Sequence, residues 1–337
     1  MEFHCTEPQT DLEQLLGGYF CINAIGRIEP NDDARFREFL IRSAPPPRLT
    51  VYIDSVGGDV EAAIGIGRLI RDHWFSTSVG SYVLDHDQDA SHVLPRKLIN
   101  GTCASAATLV FLGGRLRYLP AGSTFGVHQF SFRDPSPDDV ARSQMLSARI
   151  ASYVHDMGVL TGFLELSSAT SSTEINEVDE GELRALKVIT GGVTEAEWTV
   201  KAHNHIIRVM GECDSLYGHH KVMLCYAKEA GFLFHAVIES QGREVELTNF
   251  GLVEIVVNGE DIRIDVSRRC ERHVYGNYTN VFTQITEDEA RTIAFSESFG
   301  VQIRFSDQAP MFLGISAIST EGGKEQLQTV FNMFCTT

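Results

Sequence analysis

The sequence predicts an α/β protein, a mostly parallel sheet with flanking helices, followed by a second, β-rich α+β domain. Three observations carry this. Up to Gly192, β-type runs alternate with helix-type runs, the order that sets strands side by side in parallel with helices on the faces. A glycine pair, Gly57-Gly58, stands directly after one such run and before a helix, at the strand end where sheets of this kind place their sites. Beyond Gly192 the texture changes to strands joined by short turns. The expected domains are therefore 1–192 and 193–337.

In chain order, residues 1–18 read as a polar lead-in and Tyr19 to Ile25 as a strand. Asn31 or Asp32 caps a helix with Phe36, Phe39 and Leu40 at helical spacing, which Pro45-Pro46-Pro47 stops. Leu49 to Ile53 is a buried-type strand running into Asp54-Ser55-Val56-Gly57-Gly58, and Glu61 to Asp72 is a helix with Ala62, Ile66, Leu69 and Ile70 on one face. Thr77 to Val83 is the next strand. Leu84 to Ile99, with Asp85-His86-Asp87 and His92, reads as a solvated loop or lid; its spacing is too irregular for a metal frame. Ala104 to Leu112 is a helix of small and apolar residues. Leu116 to Leu119 and Thr124 to His128 are short strands around the Pro120-Ala121-Gly122 turn. Pro137 to Gly158 is a long amphipathic helix, Leu160 to Leu166 and Glu180 to Leu186 are short ones, and Lys187 to Thr190 is a closing strand.

In the second domain, Lys221 to Tyr226 and Phe232 to Ile238 form a hairpin. Val253 to Val257 and Asp261 to Val266 form another around Asn258-Gly259, a pair suited to a type I′ turn because both central residues need positive φ. Val301 to Phe305 and Phe312 to Ile318 are strands, and Gly323 to Met333 is a helix. No motif in this domain names a ligand. His203, His205, His219 and His220 read as surface residues rather than metal ligands.

Of the 337 residues, 43% are hydrophobic and 22% charged, enough for sizeable cores. The net charge of −17 opposes non-specific binding to nucleic acid or anionic membrane. Seven cysteines, an odd number without a C-x-x-C pair, argue for reduced, buried thiols rather than a disulfide framework or zinc knuckle. The expectation is a cytoplasmic protein with no signal peptide, membrane span or cofactor.

The chemistry concentrates between Gly101 and Gln129. Acyl transfer at a serine needs a base, fixed N–H donors for the oxyanion, and a group that orients the base. Ser105, in Gly101-Thr102-Cys103-Ala104-Ser105-Ala106-Ala107, stands at a helix start among small residues that let a carbonyl approach. His128 ends a later strand, and a histidine titrates near neutrality. The N–H of Ala106 is one oxyanion donor; the other comes from Gly57 or Gly58, where no Cβ blocks approach. Each residue also has an ordinary role: a serine before a helix caps it, a histidine after an apolar run packs, and a Gly-Gly turn cradles phosphate. Their joint order makes the combination specific.

These segments resemble the ClpP-like serine peptidase family of the ClpP/crotonase fold: the strand with its glycine-pair turn, the nucleophile segment around Ser105, and Gly126-Val127-His128-Gln129. It is similar to divergent bacterial members, over residues 19–192. The resemblance implies Ser105 as nucleophile, His128 as base, and Gly58 and Ala106 as oxyanion donors. It also implies a peptide or protein substrate and a homo-oligomer. Where the family carries its third, aspartate member, this chain has Ile175, flanked by Glu174 and Asn176. Either flanking residue orients His128, or the site is a dyad. A crotonase-type acyl-thioester enzyme and a catalytically dead scaffold are the competing expectations. The extra domain suggests a regulatory unit that binds a small-molecule or protein activator.

Overall fold

A computed structural model describes residues 1–6, 8–15, 21–85, 95–130 and 139–335. The chain divides into two compact units, Met1–Gly192 and Val193–Thr337. The first is mixed α/β and the second β-rich.

The backbone of the first unit is a five-stranded sheet in the order Glu2–Thr6, Cys21–Ile25, Thr50–Asp54, Ser76–Val79, Arg117–Tyr118. The last four run parallel; Glu2–Thr6 adds antiparallel at the edge. Residues 1–6 of the expected lead-in are thus a structural element. Met1 is buried, and Phe3 packs 4.7 Å from Phe36, so this stretch covers the helix Asp32–Ser43. That helix starts without a side-chain cap from Asn31. The buried Asp32 carboxylate instead accepts from the N–H of Glu29 at 2.7 Å and from the Met1 ammonium at 2.7 Å. The helix Val60–Asp72 has a regular cap, the Asp59 carboxylate accepting from the Ala62 N–H at 2.8 Å.

The strand expected over Thr77 to Val83 is two. It breaks at Gly80, where φ is 120° and a Cβ would collide with the Ile99 carbonyl. Ser81–Leu84 then pairs with Arg96–Ile99 in a separate hairpin. The His/Asp-rich segment inside the expected loop lies outside the described residues, as do Tyr19, Phe20 and the first residues of the helix expected from Pro137; the helix is described from Asp139 to Asp156.

A second sheet carries the site. Thr102–Ala104 and Thr124–Val127 run parallel, and Asn176–Glu177 adds antiparallel. It joins the first sheet where Ser55 donates to the Thr102 carbonyl at 2.7 Å and accepts from the Ala104 N–H at 3.0 Å. Ala104 is therefore strand, and the helix it was expected to open is Ala106–Leu112, every residue of which is buried. Arg117–Tyr118 and Thr124–Val127, close in sequence, sit in different sheets. The closing strand expected at Lys187 to Thr190 is absent. Lys187 turns at φ 59° and its carbonyl, with that of Val188, is taken by the buried Arg117 guanidinium.

The second unit holds a six-stranded antiparallel sheet, in the order Glu197–His203, Ile206–Ser215, Gly218–Ala227, Gly231–Glu239, Tyr278–Gln284, Glu271–Tyr275. A four-stranded antiparallel sheet orders Ile262–Asp265, Leu252–Val257, Ser298–Arg304, Leu313–Ser319. Val222, Leu224, Phe234, Val253, Ile255, Phe299 and Val301 form their common core with Leu327 and Phe331 of the helix Lys324–Phe334. Asn258 and Gly259 have φ of 53° and 73°, but Val257 pairs with Ile262, so the connection is a four-residue loop rather than the expected two-residue type I′ turn. His220, expected at the surface, is buried; His219 lies beside it between Glu212 and Asp214, at 3.3 and 3.2 Å.

Candidate active site

The parallel strand Thr50–Asp54 ends at the point where the second sheet begins, so its turn faces the segment that holds Ser105. Asp54 fixes the junction: its Oδ1 accepts from the Thr102 N–H at 2.9 Å. Ser55, buried, turns its hydroxyl onto the N–H of Gly57 at 3.1 Å. Gly57 and Gly58 follow with φ of 94° and 147°. A Cβ on Gly57 would lie 2.7 Å from Ser105 Cβ, 2.8 Å from the Ala104 carbonyl and 2.9 Å from the Ala106 nitrogen. A Cβ on Gly58 would overlap the Ile28 carbonyl. Ile28 braces the turn from the other side, donating to the Gly57 carbonyl and accepting from the Asp59 N–H, at 2.9 and 3.0 Å.

Ser105 joins the strand Thr102–Ala104 to the helix Ala106–Leu112. Its backbone has φ 56° and ψ −130°, a region non-glycine residues rarely occupy. The strain is held by bonds on both sides, Ser105 N–H to the Gly126 carbonyl at 2.9 Å and the Thr108 N–H to the Ser105 carbonyl at 3.0 Å. The hydroxyl makes no capping bond to the helix it precedes. Among the described residues, neither the Gly58 nor the Ala106 N–H donates to a protein acceptor. The Ala106 nitrogen lies 2.9 Å from where a Cβ on Gly57 would be, so an unbonded N–H stands beside the strained serine. The neighbouring thiol, Cys103, is fully buried and its pKa is pushed up by burial and then by Asp54, so it stays protonated and unreactive.

His128 follows the strand Thr124–Val127, which pairs in parallel with Thr102–Ala104. Neighbouring strands lie about 4.8 Å apart, so the Ser105 and His128 backbones are adjacent where the two strands end. His128 is half-buried, and among the described residues its buried Nδ1 has no hydrogen-bond partner. Asn176 pairs with Val127 and Glu177 with Gly126. Alternation sets Asn176, half-buried, on the face of Val127, opposite that of Gly126 and His128. Glu174 is exposed, in a turn whose N–H bonds the Ser171 carbonyl at 3.0 Å. Neither side chain bonds His128.

Sequence reasoning missed Ser55 and Ile28. Ser55 was visible inside the Asp54-to-Gly58 motif; Ile28 carries no local signal, because its role is a contact thirty residues along the chain. Among the described residues no cluster of three or more His, Cys, Asp or Glu is placed to hold a metal, and no helix is long and apolar enough to cross a membrane.

No family model and no curated protein matches this chain. Among solved structures it is similar to ClpP1 from Listeria monocytogenes, at 17% identity over 50% of this chain and 88% of that one, with a TM-score of 0.35. An asparagine-to-aspartate mutant of the same Listeria protein is similar at 17% identity over 53% of this chain and 93% of that one, with a TM-score of 0.34.

Proposed function

We propose that the unit Met1–Gly192 is a ClpP-like serine peptidase. Ser105 Oγ attacks the scissile carbonyl, and its proton passes to His128. The Gly58 and Ala106 N–H groups hold the oxyanion of the tetrahedral intermediate. Collapse expels the amine, which takes the proton from His128, and water then hydrolyses the acyl-serine by the same route. The observation that carries this reading is the strained Ser105, uncommitted as a cap and pressed against Gly57, with the unbonded Ala106 N–H beside it. A crotonase-type enzyme would need the same oxyanion donors but no serine at 105.

A fluorophosphonate probe tests it. Labelling confined to Ser105, lost in Ser105→Ala and strongly reduced in His128→Ala, is the expected result. Absence of labelling in the folded protein favours the dead scaffold instead. On the same reading the substrate is a peptide or protein, copies of the chain assemble, and the unit Val193–Thr337 receives an activator. A 1–192 fragment as active as the full chain would remove that last role.

A further inference from the structure

The outer strand of the second unit, Glu197–His203, has a neighbour on one side alone among the described residues, Ile206–Ser215. His203 and Ile206 face each other across the Asn204-His205 turn, where the first carbonyl takes the N–H of the second. Bonding alternates along an antiparallel pair. The backbone groups of Glu197, Thr199 and Lys201 therefore point into the sheet, and those of Trp198, Val200 and Ala202 point out of its edge. Such an edge is a template for another strand, and proteins blunt it with prolines, bulges or lysines. Here the register to Ile206–Ser215 is unbroken and the strand holds no proline. Val200 and Ile207 line a groove of about 340 Å³ with Val330 and Met333 of the helix Lys324–Phe334. Val200 is 49% exposed and Met333 63%.

The strand is complementary to itself. Turned antiparallel about Thr199, it sets Glu197 opposite Lys201 on both sides of the axis, Trp198 opposite Val200, and Thr199 opposite Thr199. Trp198 and Val200, whose backbone groups point outward, become the hydrogen-bonded pairs. Glu197, Thr199 and Lys201 fall at the non-hydrogen-bonded sites, where side chains come closest. Glu197 and Lys201 are exposed and, among the described residues, neither has an ion pair. The one lysine that guards this edge thus meets an acid in this register. The Thr199 hydroxyl has no hydrogen-bond partner among the described residues, and a threonine across the axis supplies one. We propose that two copies of the chain join edge to edge along Glu197–His203, about a two-fold axis at Thr199, so that their six-stranded sheets become continuous. The pairing uses the second unit alone and does not rest on the peptidase reading of the first.

The test is sedimentation of the full chain against concentration, with a cross-link to read the register. Wild type should self-associate. Lys201→Glu sets like charges opposite each other on both sides of the axis and should weaken that association about 10-fold or more. Glu197→Lys should do the same, and the two reversals together should restore it. Val200→Pro removes an outward donor while sparing the ladder to Ile206–Ser215, and should also separate the copies. Under mild oxidation Thr199→Cys should give a dimer linked 199 to 199, identified by mass spectrometry of the unreduced digest. Residues opposite each other at a non-hydrogen-bonded site have Cα atoms about 4.5 Å apart, within reach of a disulfide. Val200→Cys should not link to itself, because diagonal neighbours lie about 7–8 Å apart. A wild type that stays single overturns the inference. So does an assembly indifferent to both charge reversals and to Val200→Pro, which would be held by other surfaces, and so does a loss in Lys201→Glu that the double reversal does not restore. None of these readouts involves Ser105, so the peptidase reading stands or falls separately.

Discussion

Gly57 lies so close to Ser105 that a Cβ on one would sit 2.7 Å from the Cβ of the other, with the Ala104 carbonyl and the Ala106 nitrogen within 2.9 Å of it. The glycine is required twice, by this approach and by its φ of 94°. Gly57→Ala must push either the turn or the serine away. Removing one oxyanion donor from comparable sites costs about 100-fold or more in rate. The expected outcome is a loss of that order in Ser105 labelling, with stability down by about 1–3 kcal/mol. Thermal unfolding alongside the labelling rate measures both; an Ala variant that labels at the wild-type rate would mean the turn is not part of the site.

Ser105 itself is strained for any residue with a Cβ, at φ 56° and ψ −130°. Holding such a conformation costs about 1–3 kcal/mol. Ser105→Gly should therefore abolish labelling and yet unfold at a higher temperature than Ser105→Ala, which also lacks the hydroxyl but keeps the strain. Equal melting temperatures for the two would show that the surroundings do not enforce this backbone.

The geometry of the candidate site was legible where its residues lie in short local patterns. Asp54 to Gly58 and Gly101 to Ala107 each combine a strand end, small residues and a turn, and both are strand ends or turns in the structure. What was not legible depends on distant contacts. Gly80 breaks a strand because Ile99 needs the space, and Ile28 braces Gly58 from another loop. Edge strands were missed for a different reason. Glu197–His203 and Glu271–Tyr275 are largely exposed, so no apolar run marks them. The first ends in a two-residue turn with positive φ at both Asn204 and His205, without a glycine to announce it.

Arg117 should prove the most costly polar residue to remove from the first unit. Its guanidinium is buried and donates to the carbonyls of Val188 at 2.7 Å, Lys187 at 2.6 Å, Leu112 at 3.3 Å, Gly114 at 3.1 Å and Met157 at 3.2 Å. These lie at the ends of the helices Ala106–Leu112 and Asp139–Asp156 and at the turn after Ala185. Arg117→Met leaves those oxygens buried without donors, a loss of about 3–5 kcal/mol. Arg117→Lys keeps the charge but not the planar fork, and should fall between. Denaturant unfolding followed by Trp74 emission, in a Trp198→Phe background, reads this unit. A Met variant within about 1 kcal/mol of wild type would exclude the clamp.

The second unit should weaken in acid through Glu289. Hydrogen bonds from Arg269, at 2.5 and 2.9 Å, hold its carboxyl below the ordinary carboxylate range; burial opposes this, and the Thr286 N–H at 2.8 Å adds to it. A carboxyl with a depressed folded pKa contributes stability that is fully present above its unfolded pKa of about 4.3 and is lost as pH falls through the folded value. Stability of this unit should therefore be flat in this contribution at neutral pH and decline below about 4.3. Glu289→Gln should be less stable than wild type at neutral pH, with the difference shrinking in acid. The same carboxylate closes a capping box in which Thr286 Oγ1 accepts from the Glu289 N–H at 3.2 Å. Thr286→Ala should cost about 1 kcal/mol independently of Arg269. Trp198 emission in a Trp74→Phe background follows both variants. A Glu289→Gln difference that does not change between neutral and acid pH would show that the ionised carboxylate is not what holds Arg269 in place.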